Sequence, residues 1–161
     1  MKAVWTGLAI VIALLLHTAL SQIAPHQARV LDPFLLILVY CGLTGGETHG
    51  MLAGVAAGWV QDVHFGGTVV GFSGLAKLLV GFGVGVAAAR FLLAGPVPRL
   101  LVLVVATLVD ALLISRLAAV FDVATEELAP RALLARAVAN ALVGLLLFEF
   151  VDRRLRGERR T

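Results

Sequence analysis

A short motif containing glycine and serine is where the sequence comes closest to suggesting covalent chemistry. Residues 71–74 read Gly-Phe-Ser-Gly, and a Gly-x-Ser-Gly motif carries the nucleophile of intramembrane serine proteases. A serine hydroxyl is a weak nucleophile without a base, and those proteases take their histidine base from a later helix. All four histidines of this chain precede Ser73: His17, His26, His49 and His64. The sequence therefore argues against a protease, and we expect Ser73 to cap the following helix instead.

The sequence also lacks the common patterns of metal and nucleotide sites. It contains no His-Glu-x-x-His motif, no carboxylate-rich pair of helices and no Gly-x-x-x-x-Gly-Lys phosphate loop. The single cysteine, Cys41, excludes an intramolecular disulfide and a cysteine-based metal cluster. We therefore predict no catalytic residue, no metal and no cofactor.

Two polar residues lie in the middle of long apolar runs, Asp110 in one and Asn140 in the next. A carboxylate at that depth could serve a proton or ion relay, but a relay needs more carboxylates than the neighbouring segments supply. The alternative, which we favour, is that Arg136, Asn140 or a donor from a partner satisfies Asp110. Asn140 itself fits an interhelical hydrogen bond.

Asp62 and Lys77 flank the connection between two predicted helices. An ion pair across the mouth of this hairpin would offset the cost of placing both charges near the membrane. Alternatively, each side chain reaches the outer interface without meeting the other. In either case we expect a structural role.

Glycine recurs every four residues in two neighbouring segments, which places these glycines along one ridge of each predicted helix. The positions are Gly50, Gly54 and Gly58 in the first segment, Gly81 and Gly85 in the second, and Gly66 and Gly71 between them. Small residues let helix backbones approach closely in lipid. The two ridges could therefore form a tight hairpin within the chain, or they could offer a groove to a helix of another protein.

Composition decides what kind of elements must position these residues. The chain has 161 residues, of which 60% are hydrophobic and 14% charged, and its mean hydropathy is +1.00. Soluble domains carry about 25% charged residues, and a core of this size could not hide so much apolar surface. We predict an all-α integral membrane protein, a single polytopic membrane domain over residues 1–161.

About six transmembrane helices follow from the apolar runs. Their predicted bounds are Ala3–Leu20, Pro33–Leu43, His49–Val63, Leu75–Ala94, Arg99–Phe121 and Arg131–Val151. The first is interpreted as an uncleaved signal anchor, with a polar connection from Ser21 to Asp32 after it. The second and third are shorter than the roughly 20 residues that a span needs, so either each crosses the membrane or the two share one thinned region of the bilayer.

Basic residues indicate the orientation. Five of the 13 lysines and arginines lie in the last nine residues, which predicts a basic cytoplasmic tail over residues 152–161. An even number of spans then places both termini in the cytoplasm. The tail could lie against anionic membrane lipid or be solvated without a partner. The net charge of +3 does not indicate nucleic acid as a partner.

The region from Pro33 to Gly85 resembles the MreD family of bacterial rod shape-determining membrane proteins. The likeness is carried by Tyr40-Cys41-Gly42-Leu43, Gly46-Glu47, Gly50, Gly54, Gly58-Trp59-Val60-Gln61-Asp62, Phe65-Gly66, Gly71, Ser73-Gly74-Leu75, Lys77 and Gly81. Asn140-Ala141-Leu142 and the basic tail are similar to the family's last helix, so the likeness spans nearly the whole chain. The sequence departs from the family at His64 and Thr68, where plainer apolar or proline-containing loops are expected.

The resemblance implies a fold similar to the substrate-binding subunits of energy-coupling-factor transporters, with six helices around an outward-open cavity. It implies a non-enzymatic protein of the bacterial cytoplasmic (inner) membrane that associates with MreC, a bitopic protein. The MreB filament, RodA and a penicillin-binding transpeptidase are implied as further partners of the same elongation machinery.

The sequence is therefore compatible with two functions. The first is a scaffold that binds MreC and helps regulate peptidoglycan synthesis and rod shape; its glycine ridges would receive a partner helix, and the mouth at Asp62 and Lys77 would supply polar contacts. The second is a small-molecule-binding subunit of a membrane transporter, for which Asp62, Lys77, Asp110 and Asn140 are the candidate ligand-binding groups. Such a pocket needs several converging polar groups, and four are few.

Overall fold

Helices account for all regular secondary structure in the described part of the chain. A computed structural model of the protein describes residues 2–65, 69–91, 95–123 and 129–158. The helices are α1 (Lys2–Ile23), α2 (Pro25–Val30), α3 (Pro33–Gly45), α4 (Glu47–Phe65), α5 (Phe72–Arg90), α6 (Pro96–Val120) and α7 (Pro130–Glu158). The six longer helices correspond to the six predicted segments.

The differences from the predicted bounds lie at helix ends and in the first connection. The stretch predicted as a polar connection contains the six-residue helix α2, with Pro25 in its first turn. The last helix continues to Glu158, so the residues predicted as a separate tail begin inside it. Helix α4 begins at Glu47, where an acidic side chain favours a helix start because it faces the positive end of the helix dipole.

Within the described residues, four helices are long and apolar enough to cross a membrane: Val4–Ile23, Phe72–Arg90, Pro96–Val120 and Pro130–Arg154. Helix α3 is apolar but has only 13 residues. Large apolar side chains such as Leu8, Leu101 and Leu146 are half or more exposed on the outside of these helices. Lipid can cover such side chains, whereas water would make them costly. The prediction of a helical integral membrane protein is confirmed.

Helix α3 lies at the centre of the bundle, although it is one of the shortest helices. Phe34, Leu35, Leu38 and Val39 are fully buried, and the helix contacts α1, α4, α5, α6 and α7. Its N-terminus is fixed by sequence, since Pro33 occupies the first turn and the carboxylate of Asp32 accepts the backbone N–H of Leu35.

Helices α4 and α5 form a hairpin in which backbone packs directly on backbone. A Cβ atom on Gly54 would overlap the carbonyl group of Lys77, and one on Gly58 would overlap that of Ser73. Gly50 and Gly81 face each other in the same way. Only glycine allows this approach, which brings many main-chain atoms into van der Waals contact.

The remaining glycines of the predicted set lie near the ends of this hairpin. A Cβ on Gly85 would overlap the backbone of Glu47, at the start of α4. Gly71 begins α5 with a left-handed φ of 109°, a conformation that favours glycine. Gly66 lies outside the described residues. The groove that the ridges could have offered to another protein is therefore not open, because the hairpin itself fills it.

Candidate functional site

The most concentrated polar chemistry in the described structure surrounds the ammonium group of Lys77, on α5. Lys77 is 0% exposed, and its Nζ lies 2.9 Å from Asp32 Oδ2 and 3.2 Å from Asp110 Oδ2. Both carboxylates are themselves buried. An isolated charge at such a place would be very costly, and the ammonium group of Lys77 is paired with both carboxyl groups.

Helix α7 completes this network through two side chains that meet Asp32. Arg136 NH2 donates to Asp32 Oδ2 at 3.2 Å, and the backbone N–H of Asp32 donates to Asn140 Oδ1 at 2.9 Å. Burial alone would raise the pKa of the Asp32 carboxyl, but Lys77 and Arg136 outweigh it and hold this pKa below its ordinary value. Asp32 is thus ionised, and it binds groups from α5 and α7 while it caps α3.

The network contains two acidic side chains, Asp32 and Asp110, and two basic ones, Lys77 and Arg136. Its members come from the start of α3 and from α5, α6 and α7, so it joins four parts of the bundle. The nearby hydroxyl of Thr107 donates to the carbonyl of Leu103 in its own helix. With its carboxylates paired to cations, the network is suited to holding helices together.

Two expectations about these residues are corrected. The donor that satisfies Asp110 is Lys77, and neither Arg136 nor Asn140 contacts Asp110 in the described structure; both reach Asp32 instead. Lys77 does not reach the outer interface and does not pair with Asp62. The reason is that Lys77 faces α3 and α6, where two carboxylates already lie.

Asp62 has a different role, at the end of the α4–α5 hairpin. Its Oδ2 accepts the backbone N–H groups of Gly71, Ser73 and Gly74 at 2.8, 3.1 and 3.3 Å. These N–H groups have no partner within α5 because they belong to its first turn, and they attract a carboxylate. The expectation that Ser73 caps this helix is therefore wrong, since Asp62 caps it from the preceding helix.

Asp62→Ala is expected to lower the free energy of unfolding by about 1.5–3 kcal/mol, the usual worth of hydrogen bonds to a charged group. Asp62→Asn should cost less, because its amide oxygen can still accept these N–H groups. Thermal unfolding of the purified variants in one detergent measures both. Equal melting temperatures for the alanine variant and the unmodified protein would contradict this role.

A second, smaller cluster ties the other ends of the same helices together. Asp152 on α7 lies 2.7 Å from Arg99 NH1 on α6, and it accepts the hydroxyl of Tyr40 on α3 at 3.2 Å. All three side chains are partly buried. Helix α7 is therefore bound to α3 at two places. One is Asp32, at the start of α3, and the other is Tyr40, which donates to Asp152 of α7.

Sequence reasoning missed Asp32 and Asp152 as members of these clusters. Asp32 carried a usable signal, since an aspartate directly before a proline is a typical helix start. Asp152 carried a weaker one, as an acidic residue at the start of an otherwise basic segment. Across the described ranges, no three histidine, cysteine or acidic side chains come together in a way that could hold a metal ion.

Membrane-length apolar helices, packed through glycine and clamped by buried ion pairs, define a polytopic helical membrane protein. Residues 1–154 match the family described as rod shape-determining protein MreD, and the chain belongs to that family. The family is one of shape-determining membrane proteins. Neither the curated proteins nor the solved structures contain a significant match to the chain.

Proposed function

We propose that this protein is a non-enzymatic scaffold of the bacterial cell-elongation machinery. In this role it binds MreC in the cytoplasmic membrane and helps regulate peptidoglycan synthesis and rod shape. MreB, RodA and a penicillin-binding transpeptidase associate with it directly or through MreC. The observation that carries the proposal is family membership over residues 1–154.

The chemistry of the buried residues supports a scaffold. Lys77, Asp32 and Asp110 are engaged with one another, and Asp62 is engaged with the backbone at the start of α5. Each of these contacts fixes one helix relative to another. A scaffold needs a defined surface, and a bundle held by buried charge pairs and by glycine packing provides one.

The location of the MreC contact follows from what the helices leave uncovered. Since the α4–α5 hairpin fills its own glycine ridges, we place the MreC helix on the outward apolar faces of the bundle. The glycines then act indirectly, by keeping the hairpin closed. Both termini lie in the cytoplasm, where Arg153 and Arg154 at the end of α7 face anionic lipid.

The alternative, a small-molecule-binding subunit of a transporter, has less support. Its four candidate ligand-binding groups were Asp62, Lys77, Asp110 and Asn140. The first three have their charged groups bound to other parts of the chain, and Asn140 is fully buried with its oxygen bound to Asp32.

Affinity purification of the tagged chain from its native membrane in mild detergent, with mass spectrometry of the associated proteins, tests the proposal. We expect a stoichiometric bitopic partner of the MreC kind, with cell-wall synthases in smaller amounts. A transporter ATPase with its coupling subunit, or a tightly held small molecule without a protein partner, would overturn the scaffold in favour of the alternative.

A further inference from the structure

An apolar groove lies where α1, α2 and α7 meet, beside the buried ionic network. It encloses about 270 Å³ and is lined by Leu20, Gln27, Val30, Leu31 and Ala139. Small-molecule pockets combine an apolar lining with a few placed polar groups, whereas Gln27 is the one polar side chain among these five lining residues. The aliphatic lining suits a hydrocarbon chain better.

Arg136 lies next to this groove, since it precedes Ala139 by three residues on α7 and therefore lies on the same side of the helix. Its contact Asp32 follows directly after Leu31, another residue of the lining. The side chain of Arg136 is 17% exposed. The groove and the guanidinium group are therefore neighbours.

The guanidinium group of Arg136 is hydrogen-bonded only in part by the described residues. Its NH2 contacts Asp32, its buried Nε has no acceptor among the described residues, and the side chain as a whole remains 17% exposed. Arg136 is the seventh residue of α7, about 9 Å from the helix start at about 1.5 Å per residue. A guanidinium group matches the paired oxygens of a phosphate group.

We propose that this place binds an anionic phospholipid, whose phosphate meets Arg136 and whose acyl chain occupies the groove. Two further cations at the same end of the bundle would attract an anionic headgroup: Arg131 in the first turn of α7 and Arg116 near the end of α6, both exposed. Free phosphate does not explain the aliphatic lining, whereas one lipid molecule fits both the cation and the groove.

Native mass spectrometry of the purified full chain tests this site. Detergent micelles are doped with equal amounts of phosphatidylglycerol and phosphatidylcholine, which differ in headgroup charge. The unmodified protein is expected to retain one phosphatidylglycerol, with a several-fold preference over phosphatidylcholine. Equal retention of the two lipids would overturn the proposal without any variant.

Ala139→Phe fills the groove and is expected to lower the retained phosphatidylglycerol several-fold. Ala135→Phe is the matched control, because Ala135 lies one turn earlier on α7 and is exposed; it should leave retention unchanged. Lipid that adheres nonspecifically to the arginines of α7 contributes equally to the retained lipid of both variants. Thermal unfolding shows whether both variants are folded. If both are folded and retain equal amounts of phosphatidylglycerol, the proposal is also overturned.

The variant Arg136→Lys tests the contact with the lipid headgroup separately from the contact with the acyl chain. A lysine can still pair with Asp32. Its ammonium group, however, lacks the planar fork of donors with which a guanidinium group can bind Asp32 and a phosphate together. We expect the preference for phosphatidylglycerol over phosphatidylcholine to fall several-fold at little change in melting temperature. An unchanged preference would show that Arg136 does not hold the phosphate.

Discussion

Lys77→Met is expected to be among the most destabilising single substitutions in this protein. Methionine fills a similar volume, but it leaves the carboxylates of Asp32 and Asp110 buried with only Arg136 to balance them. Removing one partner of a buried ion pair typically lowers the free energy of unfolding by about 3–5 kcal/mol, because the remaining charge stays buried and uncompensated. Here one cation serves two carboxylates, at 2.9 and 3.2 Å.

Thermal unfolding in a single detergent, followed by size-exclusion chromatography, measures this effect. Arg153→Met is the matched control, because its ion pair with Glu149 lies on the exposed side of α7 and such pairs contribute little. The double variant Lys77→Met with Asp110→Leu should recover part of the loss, since it leaves Asp32 and Arg136 as a balanced pair. If Lys77→Met melted at the same temperature as Arg153→Met, the network would not be holding the bundle.

Some of this network could be recognised from sequence. Lys77, Asp110 and Asn140 interrupt apolar runs, and polar residues in such runs are rare enough to mark a place of interest. The spacing of the glycines likewise predicted that α4 and α5 carry ridges that permit close approach. These features are local, because each depends only on residues within one helix.

The pairing of these residues could not be predicted, because it depends on which helices are neighbours. Lys77 meets Asp32 across 45 residues of sequence, and Asp32 meets Arg136 across 104. Asp62 is closer to Lys77 in sequence than either carboxylate that Lys77 contacts. Proximity along the chain therefore favoured the wrong pair, while the unpaired N–H groups of the first turn of α5 attracted Asp62 elsewhere.

Asp32 shows a second reason why sequence reasoning fell short. It lies in the stretch from Ser21 to Asp32, which the sequence predicts as a polar connection between two helices. The short helix α2 instead returns this stretch to the bundle, where it contacts α1 and α7. The carboxylate of Asp32 is therefore buried at the centre of the network.

Gly81→Ala and Gly83→Ala should have opposite effects, although they differ by two positions in α5. A Cβ atom on Gly81 would overlap the carbonyl group of Gly50, whereas one on Gly83 would meet no atom of the described residues within 4 Å. Overpacking against a rigid backbone costs about 1–3 kcal/mol. The same change at a free helical position gains about 0.5–1 kcal/mol, because alanine loses less backbone entropy than glycine.

Two measurements on these variants, the melting temperature and the co-purification of MreC, distinguish two roles of the glycine ridges. The ridges either pack the hairpin within the chain or bind a partner helix. If the ridges only pack the hairpin, Gly81→Ala lowers the melting temperature. Co-purified MreC then falls only as far as the amount of folded protein falls. If Gly81→Ala kept its melting temperature and still lost MreC, the ridge would be a contact for a partner helix. In that case the hairpin would have to open when the partner binds, since its two backbones leave no room between them.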